Sequence, residues 1–232
     1  MATTIAEGET LNFDVLGTAS VYQIFGHSGG SGPAATDAIL TTFASGSANV
    51  FTFAASGEIG CCSSIVPGWG PDGDAGPMAV GGLNGLSDFA GNARIPLVGV
   101  FTTDTDPFGG VAPGALNFDS AAPTSLVPLL HQVFYIGDGL SGFDDAGGSR
   151  LTFTAPSDAT RLYLGVADAF QYNGTSAYYG DNPGKFEVSA SLGAPTGAVP
   201  EPATWAMMAL GFGALGATMR PARRKRIGIA YA

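Results

Sequence analysis

The sequence predicts an all-β body, a jelly-roll-like β-sandwich, followed by one C-terminal hydrophobic helix. Three observations predict it. First, residues 11–192 consist of short apolar or alternating runs separated by clusters of Gly, Pro, Asp, Asn and Ser, the pattern of strands and turns. Second, 36 Gly and 15 Pro in 232 residues disfavour long helices, while 15 Phe and 7 Tyr supply a core to bury. Third, the composition changes completely near residue 199, where a charge-free apolar run begins and ends in a basic cluster. These shifts divide the chain into an N-terminal segment (1–7), a sandwich (8–193), a linker of small residues (194–198), the apolar and basic segment (199–226) and a short tail (227–232).

Within the body, residues 11–16 and 19–25 read as strands, and 49–54 (NVFTFA) alternates well. Residues 95–102 (IPLVGVFT) form a continuous apolar run, the signature of a buried strand. Strands are also expected at 132–136, 150–154, 161–166 and 185–192, the last (KFEVSASL) alternating most clearly. A short helix is expected at 35–43, and a short helix or turn at 125–130. About eight or nine strands at irregular spacing, with long middle loops, fit a jelly-roll-like sandwich.

Charge is divided unevenly. Before Pro200 there are four basic and 18 acidic residues, a net charge of −14. A body this acidic repels nucleic acid, whose recognition needs basic contacts to phosphate. It suits solubility outside the cell and admits divalent cations. Cys61 and Cys62 are adjacent, could bridge only through a strained ring, and have no third cysteine to pair with. They are expected to be two small, half-buried residues without a disulfide, with a redox-active or intermolecular thiol as the alternative.

The tail carries the strongest signal. Val199, Pro200, Glu201 and Pro202 precede a 17-residue run without charge, at 203–219. That length is near the lower limit for a membrane-spanning helix. Trp205 lies at the start of the run, and Arg220, Arg223, Arg224, Lys225 and Arg226 follow it. The basic flank predicts that the acidic body faces away from the cytoplasm. The Pro-Glu-Pro lead-in, Trp205, the Met207-Met208 pair, Gly211-Phe212-Gly213 and the final basic residues resemble the PEP-CTERM sorting signal of Gram-negative bacteria, also called the ice-binding protein C-terminal motif. The resemblance covers about the last 30 residues, and residues 227–232 extend beyond the point where the family usually stops.

This resemblance implies recognition by a membrane-embedded exosortase and transient anchoring in the inner membrane. It also implies a final place at the cell surface or in an exopolysaccharide or biofilm matrix. Because such a tail belongs to exported proteins, a signal peptide is expected upstream of Met1. Residues 1–10 contain no apolar core of that length.

The end of the body carries a second, weaker resemblance. Residues 151–192 run strand, strand, loop, Tyr178-Tyr179-Gly180-Asp181-Asn182, Pro183-Gly184 and strand. This resembles the last strands of the galactose-binding, calcium-dependent bacterial lectin fold of the PA-I type, a galactose-binding-domain-like sandwich. The resemblance implies a calcium site in which Asp168 gives the first carboxylate and Tyr178 a backbone carbonyl. Asp181 and Asn182 give the side-chain pair, and a sugar completes the shell. These are hard oxygen ligands of the kind calcium takes. Trp69-Gly70-Pro71-Asp72-Gly73-Asp74 resembles a further loop of that lectin. The galactose-holding histidine there falls near Pro77 here, and the loop after Asp168 is longer. Turn chemistry explains Asp-Asn-Pro-Gly equally well.

Gly26-His27-Ser28-Gly29-Gly30 fits the G-x-S-x-G pattern of a hydrolase nucleophile elbow, and Asp104, Asp106 and His131 follow in a suitable order. The context argues against it, because Ser31-Gly32-Pro33 follows where a helix is needed. The expectation is therefore a protein that is not an enzyme. It would work as an exported, exosortase-sorted surface or matrix protein associated with exopolysaccharide. A calcium-dependent carbohydrate-binding protein is the first alternative and a secreted serine hydrolase the second.

Overall fold

The computed structural model describes residues 3–32, 35–46, 49–118, 124–144 and 147–193. The body is a β-sandwich. Its strands are β1 (Thr3–Thr4), β2 (Thr10–Leu16), β3 (Ile39–Thr42), β4 (Val50–Cys61), β5 (Ser64–Trp69), β6 (Asp74–Gly81) and β7 (Phe89–Arg94). They continue with β8 (Leu97–Thr102), β9 (Ser125–Leu126), β10 (Val133–Tyr135), β11 (Thr152–Thr154), β12 (Arg161–Val166), β13 (Asn173–Thr175) and β14 (Gly184–Gly193). One sheet runs β1-β3-β12-β8-β10. The second runs β2-β14-β4-β11-β9, with β5 also paired to β4, and a small third sheet runs β13-β6-β7.

The strands β8, β10 and β12 of the first sheet are buried on both faces, because they carry apolar residues at consecutive positions. In β8, Leu97 and Phe101 enter the core shared with the second sheet, where they meet Phe51, Phe53, Phe153 and Phe186. Val98 and Val100 point the other way, into a core with Tyr22, Met78, Val80 and Phe89 beneath the small sheet and its loops. Every residue of β8 is buried. The expected continuous strand is therefore real, but it begins at Leu97. Ile95 takes a left-handed backbone (φ 51°) ahead of Pro96, which ends the extended run.

The strands expected at 161–166 and 185–192 are present as β12 and β14. Residues 35–43 are not a helix. Their β-branched Ile39, Thr41 and Thr42 lie in β3, paired with β12 on one side and β1 on the other. Residues 125–130 are likewise not helical, since Ser125–Leu126 pairs with β11 as strand β9. Residues 19–25 form no strand. Ser20 bridges to Val166, and its hydroxyl bonds the Tyr22 amide and the Gly29 carbonyl, which turns the chain. No helix among the described residues is long and apolar enough to cross a membrane. The expected C-terminal helix, and the sorting-signal residues from Val199 to Arg226, lie outside the described residues.

Candidate functional site

Three pieces of chain meet at one end of the sandwich: the exit of β12, the entry to β14 and the tip of the β4–β5 hairpin. The hairpin tip is a two-residue turn, with Cys62 (φ 59°) and Ser63 (φ 65°) both left-handed, as a type I′ turn requires. It is held to the entry of β14 by the Ser63 amide donating to the Asp181 carbonyl (2.7 Å) and the Gly60 amide donating to the Pro183 carbonyl (2.8 Å). Cys61 and Cys62 are joined in a disulfide, which corrects the expectation of two unpaired cysteines.

Asp168 follows β12 and is 3% exposed. Its Oδ1 accepts from the Ala169 amide (2.7 Å) and its Oδ2 from the Asn182 side-chain amide (2.8 Å). The same Asn182 nitrogen reaches the Gly17 carbonyl at 3.4 Å. Burial pushes the Asp168 carboxyl up to about 7, although these hydrogen bonds hold it back. Behind it, the Asp168 amide donates to the Tyr179 hydroxyl (3.1 Å), which is 2.8 Å from Ser176 Oγ. Ser176 in turn donates to the Gly29 carbonyl (2.7 Å). Burial also pushes the Tyr179 phenol up, to about 12. One polar atom of the group has no partner: Asn182 Oδ1, in a residue 1% exposed.

In front of Asp168 lies a cavity of about 250 Å³. The Cys61–Cys62 disulfide, Ala169, Phe170, Gln171, Tyr172 and Tyr178 line it, with Asp168 and Asp181. Phe170 and Tyr178 are exposed (56% and 37%), with ring centroids 5.1 Å apart. Tyr172 is fixed by the Arg94 guanidinium over its ring (4.7 Å) and by its hydroxyl, 3.4 Å from Cys61 Sγ. Arg94 is itself paired with Asp74 at 3.0 Å. Gln171 (φ 53°), Tyr172 (φ 61°) and Tyr178 (φ 69°) are all left-handed. Conformations this uncommon for such side chains persist where surrounding structure enforces them, and they concentrate at functional sites.

Of the four residues expected around calcium, the fold joins Asp168 and Asn182 directly and places Tyr178 and Asp181 on the cavity wall. The Tyr178 carbonyl accepts from the Asp181 amide at 3.5 Å, within a 3-10 turn. Among the described residues, no three His, Cys, Asp or Glu side chains gather as a ready metal cluster. A half-turn of the Asn182 amide would set its orphaned Oδ1 beside Asp168 Oδ2, giving a cation two hard oxygens. Asp72 has a different task. Its carboxylate clamps a loop, accepting from the Tyr135 hydroxyl (2.6 Å) and the Asp138 and Asp144 amides (3.0 and 2.9 Å).

The serine pattern dissolves into local structure. Ser28 Oγ donates to the Gly30 carbonyl (3.0 Å). Asp106 bonds His27 Nε2 (2.7 Å), with the His27 ring stacked on Phe108, while Asp104 is held by Arg161 (2.8 Å). His131 Nε2 is buried without a partner. Gly30 has a simple reason to be glycine: at φ 136° a Cβ would collide with the Ser176 backbone.

Sequence reasoning missed Phe170, Tyr172 and the disulfide as parts of one site. The run of aromatic residues between Asp168 and Asp181 was the signal available. Residues 198–225 match the family described as the PEP-CTERM protein-sorting motif, the tag by which exosortase recognises an exported protein. The match includes every expected sorting residue except Arg226. No curated protein and no solved structure matches the chain.

Proposed function

We propose that this exported, exosortase-sorted protein is a non-catalytic component of the surface or extracellular matrix of a Gram-negative bacterium. Its body binds exopolysaccharide, and its C-terminal segment anchors it transiently in the inner membrane during sorting. The observation that carries the binding reading is the exposed Phe170–Tyr178 pair beside the carboxylates of Asp168 and Asp181. Aromatic faces stack on the C–H face of a sugar ring, and carboxylates accept from its hydroxyls. The test is retention of the full chain, in a detergent without a sugar headgroup, on immobilised polysaccharide from the producing cells. Retention is expected for the native chain and loss in Phe170→Ala/Tyr178→Gly. Equal retention of both, or of neither, overturns the reading.

A second reading adds calcium, held by Asp168 and Asn182 with Asp181 and the Tyr178 carbonyl. The orphaned Asn182 Oδ1 favours it, since a buried oxygen without a partner is costly unless an ion or water satisfies it. Bound calcium would supply a positive charge that neutralises Asp168 and open coordination positions for sugar hydroxyls. Calorimetry on the full chain should then find a micromolar-to-millimolar calcium site. That site should raise Tm and vanish in Asp168→Ala. No heat and no shift would leave Asp168 and Asn182 as a structural clip.

A further inference from the structure

The cavity beside the Cys61–Cys62 disulfide is more selective than a general sugar platform. We propose that it takes one neutral pyranose unit carrying a methyl group, either a 6-deoxyhexose or an acetylated hexosamine. The proposal rests on the glycan-binding reading and specifies the unit that is bound.

Four observations lead to it. At about 250 Å³, the cavity is smaller than the roughly 300–1,000 Å³ of pockets for drug-sized ligands, so it suits one ring rather than a run of sugars. Its walls are largely apolar: two sulfurs, the Ala169 methyl and the rings of Phe170, Tyr172 and Tyr178. Disulfide sulfur is soft and polarisable and, like thioether sulfur, packs against carbon better than it accepts hydrogen bonds. A hydroxymethyl group set against this wall would lose its water partners without replacement, while a methyl group there gains contact.

The charged groups of the lining are of one sign, beside the neutral Gln171 amide and the Tyr172 and Tyr178 hydroxyls. Asp168 and Asp181 can accept from hydroxyls, and no lining residue is basic. A uronate, sulfate or phosphate would meet the acidic side chains of Asp168 and Asp181 and no cation, on a body already carrying −14 before Pro200. The sugar must therefore be neutral. Finally, the site is built in advance. Cys62, Gln171, Tyr172 and Tyr178 hold left-handed backbones, and Tyr172 is pinned by Arg94 and Cys61. A preorganised wall spends little binding energy on ordering itself, so a single methyl can decide selectivity.

The test is calorimetric titration of the full chain, in a detergent without a sugar headgroup, using matched methyl glycosides. D-fucose against D-galactose, and L-rhamnose against L-mannose, differ only in methyl for hydroxymethyl. N-acetylglucosamine against glucose tests the acetyl source separately, and glucuronic acid tests charge. The methyl-bearing member of at least one pair should bind at least about tenfold tighter, within the roughly hundredfold by which an apolar pocket rejects an added hydroxyl. Glucuronic acid should not bind.

The preference should disappear in Phe170→Ala, in Tyr178→Gly, which removes the ring but keeps the left-handed backbone, and after thiol reduction, with far-UV circular dichroism unchanged. Plain hexoses binding as tightly, or a preference that survives these changes, overturns the proposal but leaves glycan binding standing. Retention on whole polysaccharide without binding of any monosaccharide, unaffected by these variants, also overturns it and moves the glycan to another surface. No binding to any glycan in any form overturns both.

Discussion

Asp168 and Asp72 are equally hidden, each 3% exposed, yet they are solvated differently by the protein. Asp72 accepts from one phenol and two backbone amides, which makes it the anchor of a loop. Asp168 accepts from one backbone amide and from the Asn182 side chain, and its carboxyl is pushed up to about 7, chiefly by burial. In the unfolded chain it titrates near 3.9. The fold thus favours the neutral form. Its stabilising contribution is full below the unfolded pKa and is lost as pH rises through about 7. A shift of that size corresponds to on the order of 4 kcal/mol. In chelator, the chain should melt at a lower temperature at pH 8.5 than at pH 5.5, and Asp168→Asn should flatten that slope. A flat profile in the native chain would show that Asp168 is ionised at no cost. The pairing of Asp168 with Asn182 was legible in the sequence only through the lectin resemblance. Composition alone assigned Asn182 to a turn, because spacing does not reveal that a loop residue turns inward.

Among the elements, the loop at 26–32 shows how a motif can carry a physical reason other than the one its pattern suggests. Its glycines allow the backbone to lie against Ser176 and Ala177, with the Ser31 amide donating to the Ser176 carbonyl (3.3 Å) and the Tyr178 amide to the Ser31 carbonyl (3.0 Å). Gly30→Ala should therefore destabilise by about 1–3 kcal/mol, read from the denaturant midpoint. Ser28→Ala, in an exposed side chain, should change stability by less than about 0.5 kcal/mol. A large effect of Ser28→Ala with none from Gly30→Ala would reverse this account. The same scale explains which elements were readable. β12 and β14 alternate or fill with apolar residues and were expected within a residue or so of their observed ends. β6 (DAGPMAVG) and β7 (FAGNAR) were not expected. They mix Gly, Pro, Asp and Asn into strands, and Pro77 is tolerated because the β6–β7 register shifts between Ala75 and Met78. Residues 35–43 read as helix on Ala35, Ala38 and Leu40, against four β-branched residues, Thr36, Ile39, Thr41 and Thr42. Pairing with β12 decided otherwise.

At the scale of the whole molecule, the middle sheet joins two cores, and successive side chains of β8 serve one and then the other. Phe101 is fully buried and packs on Phe43, Phe51 and Phe134. Phe101→Ala should cost about 3–5 kcal/mol in chemical denaturation. Amides of β8 and β12 should be the slowest to exchange hydrogen, whereas those of the exposed β13 should exchange early. Rapid exchange in β8 would contradict a doubly covered middle layer. The all-β architecture was legible because the apolar runs of residues 11–192 are short, alternating or continuous, and bounded by turn residues. The third layer was not, because the small sheet draws its core contacts from glycine-rich strands. The placement of β14 has a mechanical meaning. The last strand before the sorting tail is an interior strand, flanked by β4 along its whole length and by β2 from Lys185 to Ser191. A pull along the axis of β14 would load two antiparallel ladders in shear, many bonds at once, rather than peeling an edge strand one bond at a time. The strand that leads into the tail is thus one suited to bearing tension along its axis.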